Sequence, residues 1–317
     1  MTRFVLFRLL QIIAVVAAMS FIIYALIGLM PGDPINLMIA SNPRLNAADA
    51  ARLRAIYGLD RPLLARYLAW AQAALAGDFG YSRLYLRPVF ETLLPRLGNT
   101  AVLMGASLLA AYALALPLGI AAARHPGSRL DIAVNFFCFA GISVPPFWLA
   151  LMLILVFAAS LGWFPAGGIA TIGDGGLGDR LHHLVLPVAT LALASTGAHL
   201  RYVRVAMIDA LRQDYIRTAR AKGASEGRVL WHHALRNGLI PVATVLALSF
   251  GSLFSGALIT ETMFAYPGMG KLIYEAIQGN DFNLALAGLL LATLMVLIGN
   301  FAADLAYAAI DPRIRYR

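Results

Sequence analysis

The sequence predicts an all-α integral membrane protein with six transmembrane helices and both termini in the cytoplasm. Three observations carry that expectation. Hydrophobic residues make up 60% of the chain and charged residues 13%, far from the balance of a soluble domain. The apolar residues are gathered into long runs: residues 9–30, 101–123, 132–163, 237–260 and 282–303 contain no charged residue. Each run reaches the roughly 20 residues that a helix needs to cross about 30 Å of hydrocarbon. A sixth run, residues 184–200, is shorter and carries His199. Finally, the net charge of +9 is unevenly placed. Let the segments before the first run, between the second and third, between the fourth and fifth, and after the sixth face the cytoplasm. They then hold 15 basic residues against six acidic ones, and the other side holds ten of each. The whole surplus falls on one face, as the positive-inside rule requires. That distribution points to a membrane, not to nucleic acid, as the partner of the basic charge.

The first run is 22 residues long with no small-x-small cleavage site before Pro31, so it is expected to be an uncleaved first helix. Residues 31–98 form the longest external segment. Pro31-Gly32-Asp33-Pro34 is a turn cluster that ends the first helix. Asn46 is placed to cap a short helix over 47–57, with Gly58 at its C-cap. A second helix is expected from about Pro62 through Trp70 to about Ala76, and a third over 88–97, leading into the second span. Arg52, Arg54 and Arg66 alternate with Leu53, Ile56, Leu63 and Trp70. That pattern fits amphipathic helices near the outer surface, either as a lid on the bundle or in contact with substrate. The division this implies is 1–98, the first span plus an external helical segment, and 99–317, a five-helix core with a cytoplasmic loop at about 209–236.

Pro117, Pro145, Pro146, Pro187 and Pro241 fall inside the later spans, where membrane helices tolerate the lost donor if neighbours satisfy the freed carbonyls. Pro145-Pro146 is expected to split the third run into a bent helix followed by an external loop through Trp163-Phe164-Pro165. Ala243, Ala247, Gly251 and Ser255 make a small-residue ridge for close packing in the fifth span. Cys138 is the only cysteine. It excludes an intrachain disulfide and a thiolate metal site, and it is expected to be buried and inert.

The most informative stretch is 209–241, between the fourth and fifth spans. It reads as a helix to about Lys222, a break at Gly223, then a second helix capped by Ser225 and running to about Arg236. Ala219 and Ala221 are small enough for another protein to approach the backbone, and Arg217, Arg220, Lys222 and Arg228 surround them. So long an element exceeds what a mere connection needs, although an amphipathic helix held on anionic lipid has the same pattern.

Arg217-Thr218-Ala219, three residues, then Gly223 resembles the "EAA loop" of ABC importer permeases, whose pattern is Glu-Ala-Ala, three residues, Gly, then a distal Ile-x-Leu-Pro. With His233-Ala234-Leu235-Arg236-Asn237 and Ile240-Pro241, it is similar to the dipeptide/oligopeptide/nickel branch. Arg217 and Thr218 replace Glu-Ala, and His233 to Arg236 replace Ile-x-Leu-Pro, departures that the peptide branch shares. The resemblance is to the B-type permease subunit. It extends through Pro31-Gly32-Asp33-Pro34, Tyr57-Gly58-Leu59-Asp60-Arg61-Pro62, Gly77-Asp78-Phe79-Gly80, the run from Thr260 to Gly270, and Asp311-Pro312-Arg313-Ile314-Arg315.

This resemblance implies a type I ABC importer permease fold and a subunit that does no bond chemistry. It implies a homologous second permease, two ABC ATPase subunits that bind ATP and Mg, an external solute-binding protein and a peptide cargo. No Gly-x-x-x-x-Gly-Lys-Ser/Thr sequence is present to cradle phosphate, so no cofactor is expected on this chain. The implied ATPase-coupling residues are Arg217, Thr218, Ala219, Arg220, Ala221, Lys222, Gly223, Ala224 and Arg228. For a substrate path, Ser143, Ser249, Ser252 and Ser255 are candidate polar groups, and Phe147 and Trp148 candidate gates. Serines within spans also commonly bond a carbonyl one turn back.

Asp304 and His199 are ionisable residues in spans, expected near cytoplasmic ends where water, Arg201 or Arg204 would satisfy them. His182-His183 and His232-His233 raise nickel, but neighbouring helix positions point apart and the two pairs belong to opposite faces. Nickel, glutathione or an opine-like solute are alternative cargoes. An ion-coupled secondary transporter is a further, less favoured alternative. It calls for mid-span charges and inverted repeats with broken helices, which the prolines fit loosely and the lack of mid-span carboxylates does not. No converging catalytic set for an intramembrane enzyme is present.

Overall fold

A computed structural model describes residues 2–29 and 61–310. The turn cluster at Pro31, the short helix over 47–57 and the motif at Asp311 lie outside the described residues, as do the side chains of Ser249, Ser252 and Ser255. The chain folds as two compact units, residues 1–97 with 272–294, and residues 98–271 with 295–317.

The first unit contains α1 (Thr2–Gly28), α2 (Leu63–Leu75), a two-residue antiparallel hairpin of β1 (Tyr81–Ser82) and β2 (Arg87–Pro88), and the start of α3 (Val89–Arg124). Aromatic rings join α1 to α2. Tyr67 meets Phe21 at 5.1 Å and Tyr24 at 5.7 Å between centroids, and its hydroxyl lies 2.8 Å from Ser20 Oγ. The chain of rings continues from Trp70 to Phe79 and on to Phe90. The hairpin is fastened by Asp281, whose buried carboxylate accepts from Ser82 Oγ at 2.5 Å and from the Leu84 N–H at 3.0 Å. Tyr85 donates to Glu275 at 3.0 Å. Partial burial, then that carboxylate, push the Tyr85 phenol above its ordinary pKa.

Residues 88–97, expected as a separate helix, are instead the first turns of α3, which runs unbroken for 36 residues. The helix continues through residues 97–101, and Glu91 in its first turn complements the helix dipole.

The second unit is the helical bundle. It comprises α4 (Arg129–Ser143), α5 (Pro146–Leu153) with a π-helical turn over Ile154–Ser160, α6 (Leu177–Leu211), α7 (Asp214–Ala221), α8 (Glu226–Arg228), a second π-helical turn over Val229–Ala234, and α9 (Leu235–Met263). The helices α10 (Met269–Gln278) and α11 (Phe282–Ile310) follow. Ser128 caps α4 by accepting from the Asp131 N–H at 3.2 Å. Pro146 opens α5, where its missing N–H costs nothing. As expected from the Pro145-Pro146 pair, the third run is broken there, with an angle of 100° between its two arms. α6 packs against α4, α5 and α9.

Four helices of the described residues are long and apolar enough to cross a membrane: Val5–Gly28, Val89–Arg124, Leu177–Leu211 and Phe282–Leu305. The bent pair of α4 and α5 makes up to a fifth. α9 is 29 residues long and follows the charge-free run 237–260, but part of its side chains lie outside the described set.

A carboxylate closes one end of the bundle. Glu261 is fully buried and accepts from Thr100 Oγ1 at 2.5 Å and from the Lys271 N–H at 2.9 Å. Thr100 in turn accepts from the Met269 N–H at 2.8 Å, and Asn99 donates to Pro267 O at 2.8 Å. These bonds seat the turn 264–268 between α9 and α10 against α3.

Candidate functional site

The candidate site begins where α6 ends. Arg212 caps α6, Gln213 starts the next element, and α7 follows. α7 closes in a Schellman motif: the Gly223 N–H bonds Arg220 O at 2.9 Å and the Ala224 N–H bonds Ala219 O at 3.1 Å. Gly223 takes φ +80°, a left-handed conformation that glycine enters without a Cβ penalty. Ser225 then caps the next helix by accepting from the Arg228 N–H at 3.4 Å. The break at Gly223 and the cap at Ser225 therefore lie where the sequence places them. The second helix does not stop near Arg236, however. It passes through the π-helical turn into α9 without a break, because no cap or left-handed residue intervenes.

Two faces result. Ile216, Ala219, Val229, Leu230 and Ala234 are buried in one cluster with Ile120 and Ala123 of α3, Val203, Met207 and Ala210 of α6, and Val242 of α9. Arg217, Thr218, Arg220, Ala221, Lys222, Gly223 and Arg228 are exposed, and Ala224 is half-buried. Ala219 and Ala221 were grouped above as small residues open to a partner. Only Ala221 faces out; Ala219 turns inward at a helical spacing of three from Ile216. The site is thus a packed apolar base carrying an exposed basic edge.

One ion pair crosses the Gly223 joint. Arg220 Nε donates to Glu226 Oε1 at 2.7 Å and Arg220 Nη2 to Oε2 at 3.1 Å. The guanidinium holds the Glu226 carboxyl below its usual pKa, burial opposes this, and Arg124 at the end of α3 adds to the lowering. Arg217 approaches Asp214 at 3.4 Å, but within α7 itself.

A second pair lies deeper. Arg204 of α6 grips Asp131 at the start of α4 with bonds of 2.5 and 2.8 Å. Asp131 also accepts from the Gly127 N–H at 2.8 Å. Neither this pair nor Glu261 was singled out from the sequence. The available signal was a lone acid at each run's edge, Asp131 just before residue 132 and Glu261 just after residue 260.

Of the proposed substrate-path residues, the side chains of Ser143, Phe147 and Trp148 are among those described. Ser143 Oγ donates to Phe139 O at 2.8 Å, one turn back. Phe147 and Trp148 are about half exposed. Trp148 borders an apolar cleft of about 520 Å³ between α3, α4 and α6, walled also by Leu118, Phe137, Cys138 and Leu193. Its only hydroxyl, Thr196, already donates to Ala192 O at 2.6 Å. Cys138 is buried, at 2% exposure. His199 packs its ring on Tyr112 at 4.6 Å, rather than meeting water at a helix end. Each histidine of the first pair has its own carbonyl: His182 meets Trp163 O at 2.8 Å and His183 Asp179 O at 2.9 Å. Among the described residues no group of three or more His, Cys, Asp or Glu could hold a metal ion.

Comparison with known proteins gives this arrangement its context. Residues 115–316 match the family described as binding-protein-dependent transport system inner membrane component, and residues 1–104 match its N-terminal counterpart. The chain is 39% identical to the oligopeptide transport system permease protein AppB of Bacillus subtilis (strain 168), covering 100% of both chains. It is 36% identical to the di/tripeptide transport system permease protein DppB of Pseudomonas aeruginosa (strain UCBPP-PA14), again over 100% of each. Among solved structures it resembles an inward-facing MetNI methionine ABC transporter, with a TM-score of 0.55 and 18% identity over 69% of this chain and 96% of that one. An amino acid ABC transporter gives 0.54 and 12%, over 69% and 94%. At those identities the structural likeness concerns the fold alone. The chain belongs to the binding-protein-dependent transport system inner membrane components, the multi-pass permease subunits of ABC importers.

Proposed function

We propose that this permease moves di- or oligopeptides across the inner membrane by alternating access, as one of two homologous permease subunits. Two ABC ATPase subunits, which bind ATP and Mg, drive it, and an external solute-binding protein delivers the cargo. The chain crosses the membrane six times with both ends in the cytoplasm, α9 supplying the span for the run 237–260. The observation that carries this reading is the helix–glycine–helix element on its apolar base, at the end of the bundle where the excess arginines collect. Full-length relatives named for oligopeptide and di/tripeptide transport support the cargo.

In this reading α7 and Gly223, with Arg217, Thr218, Arg220, Ala221, Lys222, Ala224 and Arg228 around them, enter a groove on an ATPase subunit. Ala219 supports the site from beneath. Closure of the ATPases displaces α7, and the shared apolar base passes the displacement to the ends of α3, α6 and α9. The bundle then needs two states whose balance the docking site biases.

The test is co-purification. The chain is tagged, expressed with its neighbouring genes and extracted in mild detergent. Recovery of a homologous permease with one or two ATPase subunits is expected. A chain that purifies alone and moves solute down an ion gradient in liposomes would overturn the reading.

A further inference from the structure

The outer side of the joint at Gly223 is open: a Cβ there would meet nothing within 4 Å, and backbone bonds from Gly223 and Ala224 are what close it. Beneath the joint, Ile216 and Ala219 on one side and Val229 and Leu230 on the other share one cluster, which fixes the inner faces of both helices. On the outer side, Arg220–Glu226 is the ion pair among the described residues that spans the joint. It is made by two parallel N–H···O bonds, and a guanidinium fork of that kind sets orientation as well as distance. Both partners are substantially exposed, at 44% and 65%, so the pair adds little to stability. Its geometry is what it has to offer. Arg124 at the end of α3 also lies close enough to act on Glu226, so the strut stands beside the end of a span.

We propose that Glu226 is a positioning residue for coupling: by gripping Arg220 across the Gly223 joint, it locks α7 to the helix that runs on into α9. Displacement of α7 by a docked ATPase then turns α9 as one body, instead of being absorbed at the glycine. The inference rests on the coupling reading above and adds a residue outside the resemblance on which that reading was built.

The experiment uses the full importer in liposomes, with its solute-binding protein and a mixture of di- to pentapeptides counted by mass spectrometry. ATP hydrolysis is followed in the same vesicles. Glu226→Ala is expected to lower peptide moved per ATP by about threefold, the scale of an exposed pair, while hydrolysis stays near the wild-type rate. Arg220→Ala combined with Glu226→Ala should be no worse than the more affected single variant, since each removes the same strut. Raising the ionic strength, which also weakens docking of the basic edge, should cost the wild type more coupling than it costs Glu226→Ala, because only the wild type has a strut to screen. A merely structural role would give both the same salt response. Wild-type coupling in Glu226→Ala, or a double variant showing the product of two independent losses, would overturn the inference while leaving the coupling reading intact. A wild-type assembly without ATPase, or one that moves no peptide, would remove the coupling reading and the inference with it.

Discussion

At residues 220–228 a glutamate, a glycine and a helix end meet in water, whereas at residues 261–271 the same three parts meet out of it. Glu226 is 65% exposed and is held by one side chain, Arg220. Glu261 is fully buried and bonds a hydroxyl and a backbone N–H, with Gly268 and Gly270 pressed against it. Gly223 has open space where a Cβ would go, and Gly268 has none. The first turn is open on its outer face, where one ion pair spans it. The second is an internal fastening whose purpose is to stay fixed. Charge alone does not separate the two; the number of partners and the access of water do.

The comparison breaks most visibly at Gly223. Glu at this position must adopt φ +80°, which an L side chain resists, and it places a carboxylate on the exposed basic edge. Gly223→Glu is expected to abolish peptide uptake while leaving membrane insertion and protein level unchanged. Uptake assays beside quantitative immunoblots of membranes measure both, and normal uptake would sink the coupling assignment. Glu261→Ala should act in the opposite manner. It leaves the Thr100 hydroxyl and the Lys271 N–H without their buried acceptor, at a cost of about 3 kcal/mol. A marked fall in the thermal stability of the purified importer is expected. An unchanged melting temperature would show that water replaces the carboxylate and that this turn is no more fixed than the other. The smallest effect is predicted for Ser225→Ala. Loss of the N-cap costs about 1 kcal/mol at an exposed helix start, which hydrogen exchange at residues 226–230 would register while uptake falls only slightly.

The sign of the pH dependence at the exposed turn follows from the same contacts. Arg220 lowers the pKa of Glu226, so the pair's contribution is complete above the ordinary glutamate range. It is lost only as pH falls through the depressed value. Coupling should therefore be insensitive to pH through the neutral range as far as this pair is concerned.

Much of the candidate site was legible because its signals are local. Gly223 and Ser225 announce a helix stop and start within three residues, and both occupy those roles. Long charge-free runs likewise announced the helices that carry them, and Pro145-Pro146 announced the break between α4 and α5. What the sequence hid depends on distant partners or on helix phase. Asp131 and Arg204 are 73 positions apart, and nothing near either names the other. Ala219 looked outward because its neighbours are basic, but its phase relative to Ile216 turns it into the core. The start of α3 was expected as a separate helix, and the polar Asn99 and Thr100 that follow it lie within one continuous helix. Their polarity serves the turn at 264–268, which bonds them from outside.

The buried turn also bears on how such chains diverge. A Cβ at Gly268 would stand 2.1 Å from the Glu261 carboxyl carbon, and one at Gly270 would lie 3.1 Å from the carboxylate and 2.8 Å from the Leu258 Cα. Neither glycine is free to change while the glutamate remains, and the glutamate cannot leave without stranding two donors. Sterically, the three positions are expected to change together. A lineage that alters one of them must pass through an impaired intermediate or rebuild the turn, so an alanine aligned with Gly268 beside a retained glutamate would mark a chain whose backbone there takes a different course.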